Sequence, residues 1–164
     1  MTQIDGAEVE VVQADLAEPA DAAAIVACLV AYAADPMGGE HELPHAVREA
    51  IVPGLRATPG ARVWLARAGA RPLGVCVVLA GFSTFSAKPR WNVHDLAVMP
   101  EARGLGLGRR LLTAVVDAAT AEGCSAVSLE VRRDNAPARH LYASLGFGDG
   151  DDVPMDFWTR QITG

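Results

Sequence analysis

Three glycines at alternate positions, Gly104, Gly106 and Gly108, stand between an apolar strand-like run, Val93 to Val98, and a long helical pattern, Arg109 to Glu122. This feature constrains the chain most. A glycine-rich turn that feeds a helix presents several unpaired backbone N–H groups at the positive end of the helix dipole. Such a turn suits a phosphate or pyrophosphate. A phosphate-cradling P-loop would need Lys followed by Ser or Thr after the last glycine, but Arg109 and Arg110 follow here. A dinucleotide fingerprint needs G-x-G-x-x-G early in a strand–helix–strand unit, and the spacing here is one residue short. A plain glycine-rich turn is the remaining reading from the residues alone.

The flanking residues extend the pattern. Val98-Met99-Pro100-Glu101-Ala102-Arg103 leads into the glycines. Downstream stand the run from Glu130 to Tyr142, which includes Asn135, and then Leu145-Gly146-Phe147. In order and spacing, about 55 residues from Asn92 to Phe147 resemble the GNAT (GCN5-related) N-acetyltransferase family, and Arg103-x-x-Gly106-x-Gly108 resembles its pyrophosphate motif. Phe82-Ser83-Thr84-Phe85 resembles, more weakly, the diamine and small-amine branch of that family.

The resemblance implies a mixed α/β fold: a mostly antiparallel sheet flanked by helices and split at the strand that binds acetyl-CoA. It implies acetyl-CoA as co-substrate, with Arg103, Gly104, Leu105, Gly106, Leu107, Gly108 and Arg109 around its pyrophosphate, and Arg110 as a further candidate. Backbone groups of Leu96, Ala97 and Val98 would pair with its pantetheine arm, and a free backbone N–H at the split would donate to the thioester carbonyl. Tyr142 falls on the family's tyrosine, whose O–H protonates the leaving thiolate. Asn135 has two readings that do not exclude each other, a contact to the pantetheine arm and an N-cap for the next helix.

An amine acceptor must lose a proton. His94, on the strand leading into the loop, is the first candidate base, since an unperturbed imidazole titrates near pH ~6.5. A structural histidine is the competing reading. Strand alternation predicts that Asp95 points to the opposite face from His94. Asp35, Phe82, Phe85 and Asp95 are candidates for a surface that accepts a cationic amine. Glu40, His41 and Glu42 read as solvated loop charges or as acceptor contacts. The reading is therefore an acetyltransferase acting on a polyamine-like or amino-acid-like amine. A non-catalytic acyl-CoA sensor and a protein N-acetyltransferase stand as alternatives.

Composition narrows the partners. The net charge is −6 and Lys88 is the single lysine, so no basic face for nucleic acid is expected. With 51% apolar residues the chain can build a core, and 164 residues suit one domain over 1–164. No uninterrupted apolar stretch reaches ~18 residues, so no membrane span is expected. Cys28, Cys76 and Cys124 lie in apolar runs without metal spacing and read as buried thiols of a cytoplasmic protein. His41, His45, His94 and His140 form no ligand cluster, so no metal is expected.

Periodicity predicts strands at Glu8–Gln13, Arg62–Ala68, Leu73–Phe82, Trp91–Val98 and Ala126–Val131. Helices are predicted at Pro19–Ala34, at Pro44–Arg56 with a bend or break at Pro53, from about Gly106 to Glu122, and at Pro137–Leu145. A polar connection is predicted over Ser83–Arg90, and a last strand over Phe147–Arg160, where Phe157 and Trp158 would support a homodimer.

Overall fold

Alternating Val, Leu and Ala residues build a six-stranded sheet whose order in space follows the chain. The computed structural model describes residues 3–4, 6–148 and 158–162. The strands are β1 (Gln3–Ile4), β2 (Ala7–Gln13), β3 (Ala61–Ala68), β4 (Arg71–Ser83), β5 (Lys88–Val98) and β6 (Ala126–Leu129). Each neighbouring pair is antiparallel except β5 and β6, which run parallel. The helices are α1 (Pro19–Ala33), α2 (His45–Ala57), α3 (Leu107–Ala121) and α4 (Ala136–Ala143), with a 3-10 turn at Pro100–Ala102.

Two apolar layers sandwich the sheet. On one face Ile25 and Cys28 of α1 and Val52 of α2 pack on Val63, Leu65, Val75, Val77 and Ala97. On the other, Leu107, Leu111, Leu112, Val115 and Ala119 of α3 pack on Trp64, Cys76, Val78, Trp91 and Val93. The α3 residues recur at helical spacing and form one stripe. Burying each of the larger side chains is worth about 1.5–3 kcal/mol.

Helix α1 starts at Pro19, which has no N–H to lose in the first turn. Glu18 occupies the cap position without a side-chain cap bond. Asp21 anchors that end instead, accepting from the Asp15 N–H at 2.8 Å and from Arg67 at 2.9 Å. Helix α2 runs through Pro53 without stopping. The missing N–H removes one intrahelical bond, and Val52, Ile51 and Leu55 hold the helix by packing on the α1 layer.

The expected polar connection is a tight hairpin. β4 and β5 stay paired out to Ser83 and Lys88, so Ser83 and Lys88–Arg90 belong to strands. β6 stops at Leu129, two residues before the expected end. Most of the expected last strand, with Phe157, lies outside the described residues, and 158–162 carry no regular structure.

One irregularity positions the site. Val78 of β4 faces Val93, but Val77 faces Asp95. His94 is therefore an extra residue, a β-bulge that breaks the alternation. Before it, Trp91 and Val93 face α3; after it, Leu96 and Val98 do, while Ala97 joins the α1 layer.

Candidate active site

β5 has two halves. Arg90 to Val93 pair with β6 on one side and β4 on the other. From Asp95 to Val98 the strand pairs with β4, while β6 has already ended. Along this stretch the edge of Leu96, Ala97 and Val98 on the β6 side carries no strand among the described residues. The sheet thus splits at the position the sequence resemblance implied.

The open edge leads into the glycine turn. Gly104 has φ of 78° and Gly106 of 75°, both in the left-handed region. A Cβ at either would meet no atom within 4 Å, so glycine is used for its backbone and the space in front stays free. Gly106 caps α3 without a side-chain acceptor. The Arg110 N–H bonds the Gly106 carbonyl at 3.1 Å, so the amides of the first turn ahead of it have no acceptor within the helix. Gly108 serves packing instead: a Cβ there would come within 3.1 Å of Leu141 Cδ2 on α4.

The arginines around this turn are held by the protein. Arg103 donates from Nη2 to Asp35 Oδ2 at 2.7 Å and from Nε to the Val98 carbonyl at 3.3 Å. Arg109 donates to Ser144 Oγ at 2.7 Å, linking α3 to α4. Arg110 donates to the Val9 carbonyl at 2.8 Å, tying α3 to β2. Asn135 caps α4, its Oδ1 accepting from the Ala138 N–H at 3.2 Å.

Four ionisable side chains converge at the split. Tyr142 packs on the α3 layer, with its ring centroid 6.2 Å from that of Phe147. Burial pushes its phenol up to about 12, and Tyr32 and Cys76 add to the shift. Burial also raises Tyr32, reinforced by Asp95 and Asp35 and opposed by Arg132. Burial raises the Asp95 carboxyl, and His94 opposes it. Cys76, opposite Leu96 in the sheet, is raised to about 12 by burial, with Asp95 contributing. Asp35 is tuned the other way: the Met37 N–H at 2.9 Å, then Arg103, hold it below the usual carboxylate range.

Tyr32 links these groups: it acts on Tyr142 and is itself raised by Asp95 and by Asp35, which forms an ion pair with Arg103. His94 is exposed at the bulge. The bulge at His94 interrupts the simple alternation from which the separation of His94 and Asp95 was expected, and the imidazole lowers the Asp95 carboxyl against its burial. Phe82 and Phe85 sit apart, exposed at the opposite end of the β4–β5 hairpin, where Phe82 faces Pro89. Glu40, His41 and Glu42 are exposed in the α1–α2 loop. Tyr32 recurs with Ile25 and Leu29 at helical spacing, a pattern that predicts a core position and does not mark it for the site. Its place in the last turn of α1, just ahead of Asp35-Pro36, was the available signal. Among the described residues no group of three His, Cys, Asp or Glu could hold a metal ion, and no helix is long and apolar enough to cross a membrane.

Residues 26–147 match the Acetyltransferase (GNAT) family. The chain belongs to this family. Within the GNAT family it is 43% identical over 81 residues to the N-alpha-acetyltransferase RimI of Mycobacterium tuberculosis, covering 48% of this chain and 49% of that one. It is 37% identical over 83 residues to the thialysine N-epsilon-acetyltransferase of Bos taurus, covering 48% of each. The chain thus spans about half the length of both relatives. A crystal structure of a probable acetyltransferase superposes with a TM-score of 0.78 at 26% identity, covering 94% of this chain and 99% of that one. The split sheet and glycine turn are therefore those of a GNAT acetyltransferase.

Proposed function

We propose that this GNAT domain, spanning residues 1–164, transfers an acetyl group from acetyl-CoA to the primary amine of a small molecule, polyamine-like or amino-acid-like, in the cytoplasm. One observation carries the reading: the open edge of β5 from Leu96 to Val98 runs directly into the uncapped first turn of α3. An extended arm ending in a pyrophosphate fits that sequence of features. The strand edge offers backbone donors and acceptors, and the turn offers amides in clear space at Gly104 and Gly106.

Acetyl-CoA would supply an activated acyl thioester. The chain's own groups would handle the protons. Asp95, raised by burial, would take a proton from an incoming ammonium more readily than an ordinary carboxylate. His94, next to it in the chain, is the other candidate for that role. Tyr142 Oη keeps its proton at neutral pH and would give it to a departing sulfur. With the phenol at about 12 and a thiol near ~8.5, that transfer is uphill by about 5 kcal/mol. A turnover near 10 s⁻¹ corresponds to a barrier of about 16 kcal/mol, so the step is affordable. It also places proton donation late, when the sulfur carries most of its charge.

The test is release of free thiol from acetyl-CoA across a panel of polyamines, amino acids, aminoglycosides and peptides. Turnover of a small amine, with calorimetric binding of acetyl-CoA that Gly106→Asp abolishes, is the expected result. Tight binding without turnover of any amine selects a non-catalytic sensor. Turnover confined to peptides selects a protein acetyltransferase, the reading that the similarity to the Mycobacterium tuberculosis relative favours. A homodimer belongs to the same proposal, and sedimentation checks it.

A further inference from the structure

Among the described residues, the face of the sheet that carries α1 and α2 is covered over only part of its length. Val63, Leu65, Val75, Val77 and Ala97 lie under the helices. Further along the same face the sheet opens into a cavity of about 300 Å³, bordered by Leu79, Gly81, Phe82, Arg90, Asn92 and Ser128. The pairing fixes the orientation: Leu79 faces Asn92, Gly81 faces Arg90, and Asn92 faces Ser128. Gly81 leaves the space opposite Arg90 empty of side chain.

The polar groups of this cavity are arranged by charge. Nearest the split, Asn92 Nδ2 donates to the two Glu130 carboxylate oxygens at 3.2 and 3.1 Å. Ser128 Oγ lies 3.5 Å from the same amide. Glu130 follows Leu129, which pairs with Val93, and its side chain turns back to Asn92, so the carboxylate stands level with Asn92. At the far end is Arg90, two residues or about 7 Å of strand beyond Asn92. Its guanidinium enters none of the ion pairs among the described residues. From Asp95 at the split to Arg90, the face therefore reads acid, acid, amide, cation.

We propose that this cavity is the recognition site for the acceptor's distal end, and that the acceptor is an α-amino acid carrying a side-chain amine. The inference rests on the acetyltransferase reading above. The side-chain amine reaches the split beside Asp95. The α-ammonium lies against Glu130, which Asn92 holds in place. The carboxylate meets Arg90, whose planar fork suits a bidentate pair. A polyamine is disfavoured by the same arrangement, because it would set a second ammonium against Arg90 without an anion to offer. Leu79, opposite Asn92, supplies apolar wall for the methylene chain.

The experiment compares L-lysine with 1,5-diaminopentane, which has the same chain and no carboxylate. Dissociation constants are measured by calorimetry on the full chain with coenzyme A present, and kcat/KM is measured where acetylation occurs. The expected result is about tenfold or greater preference for lysine, the size of one charge-assisted hydrogen-bonded pair. Arg90→Gln removes that preference by weakening lysine alone, and Arg90→Lys restores part of it. Glu130→Gln weakens both ligands. Arg90 is exposed, so its variants fold. Equal affinities, a preference that survives Arg90→Gln, or no binding of either compound overturns the proposal. The broad amine panel reports separately on acetyl transfer: turnover of other amines with indifference to the carboxylate leaves the enzyme reading standing while this one falls.

Discussion

Arg103 Nη2 lies 2.7 Å from Asp35 Oδ2, joining the lead-in to the glycine turn to the loop after α1. The two residues had been candidates for opposite tasks, one for an anion and one for a cation. In the structure they neutralise each other. The Arg103 guanidinium still has donors left after serving Asp35 and the Val98 carbonyl. It can therefore take a phosphate oxygen while holding the loop. Arg103→Ala is expected to raise the Kd for acetyl-CoA by about tenfold, the loss of one charge-assisted hydrogen bond. Arg103→Lys should recover part of that. Calorimetry reads both.

The same pair gives a pH prediction. Asp35 is held below its unfolded value by the Met37 N–H and Arg103. A depressed carboxyl stabilises the fold above the unfolded pKa of ~3.9, and that contribution is lost as pH falls through the lower folded value. The Arg103 side chain is 51% exposed, which screens the pair, so its contribution is about 1 kcal/mol at most. Urea unfolding of the parent and of Asp35→Asn should differ by that amount at pH 7 and converge as the pH falls through the depressed Asp35 range.

Asp95 has the opposite sign. Its folded pKa is raised by burial, so its contribution is favourable below the unfolded pKa and is lost as pH rises through the folded value. At neutral pH the ionised carboxylate costs stability. Asp95→Asn should therefore melt higher than the parent at pH 7 and lose that advantage near pH 3. Turnover should fall in the same variant. Stability and activity moving in opposite directions is what a proton acceptor held in the wrong solvent predicts; a purely structural carboxylate would lose stability.

Tyr142→Phe keeps the ring against Phe147 and removes the proton. We expect kcat to drop by about 10² or more, with acetyl-CoA affinity within about twofold of the parent. Because the phenol is raised to about 12, any alkaline loss of activity below pH 10 belongs to another group. An unchanged kcat in this variant removes Tyr142 from the reaction.

Two glycines of one turn should respond differently to the same change. Gly106→Ala forces a Cβ into a left-handed backbone, at a cost of about 1–2 kcal/mol, with no steric clash. Gly108→Ala keeps helical geometry but brings a Cβ within 3.1 Å of Leu141 Cδ2, so α4 must give way. Thermal melts should show a loss for Gly106→Ala, and Gly108→Ala should also perturb the near-ultraviolet signal of Tyr142, which follows Leu141 on α4.

The sheet and the motif helix were legible in the sequence because each is written locally, whereas the split was implied only by the resemblance to the GNAT family. Alternation marks β3, an apolar run marks β4, and the glycines mark the start of α3. Asn135 as a cap was equally local. The bulge at His94 was not, since one extra residue leaves a run of strand formers looking regular. Tyr32 hid behind its helical spacing, which is the same for a core residue and for one facing a cleft. The pairing of Arg103 with Asp35 joins residues far apart in the chain, and no short pattern encodes it. Pro53 does not break α2, because the one bond it removes is a small loss beside the packing of its neighbours.

The supernumerary residue in β5 works as a phase slip. Ahead of His94 the odd-numbered side chains Trp91 and Val93 feed the α3 layer, and behind it the even-numbered Leu96 and Val98 do. A strand with the same residues and no bulge would carry the face of Val93 on to Asp95. Leu96 and Val98 would then present their greasy side to the cleft, and Asp95 would turn toward α3. The extra residue thus decides which side of the sheet the carboxylate takes, and removing His94 itself should leave Trp91, Val93, Asp95 and Leu96 on their present sides.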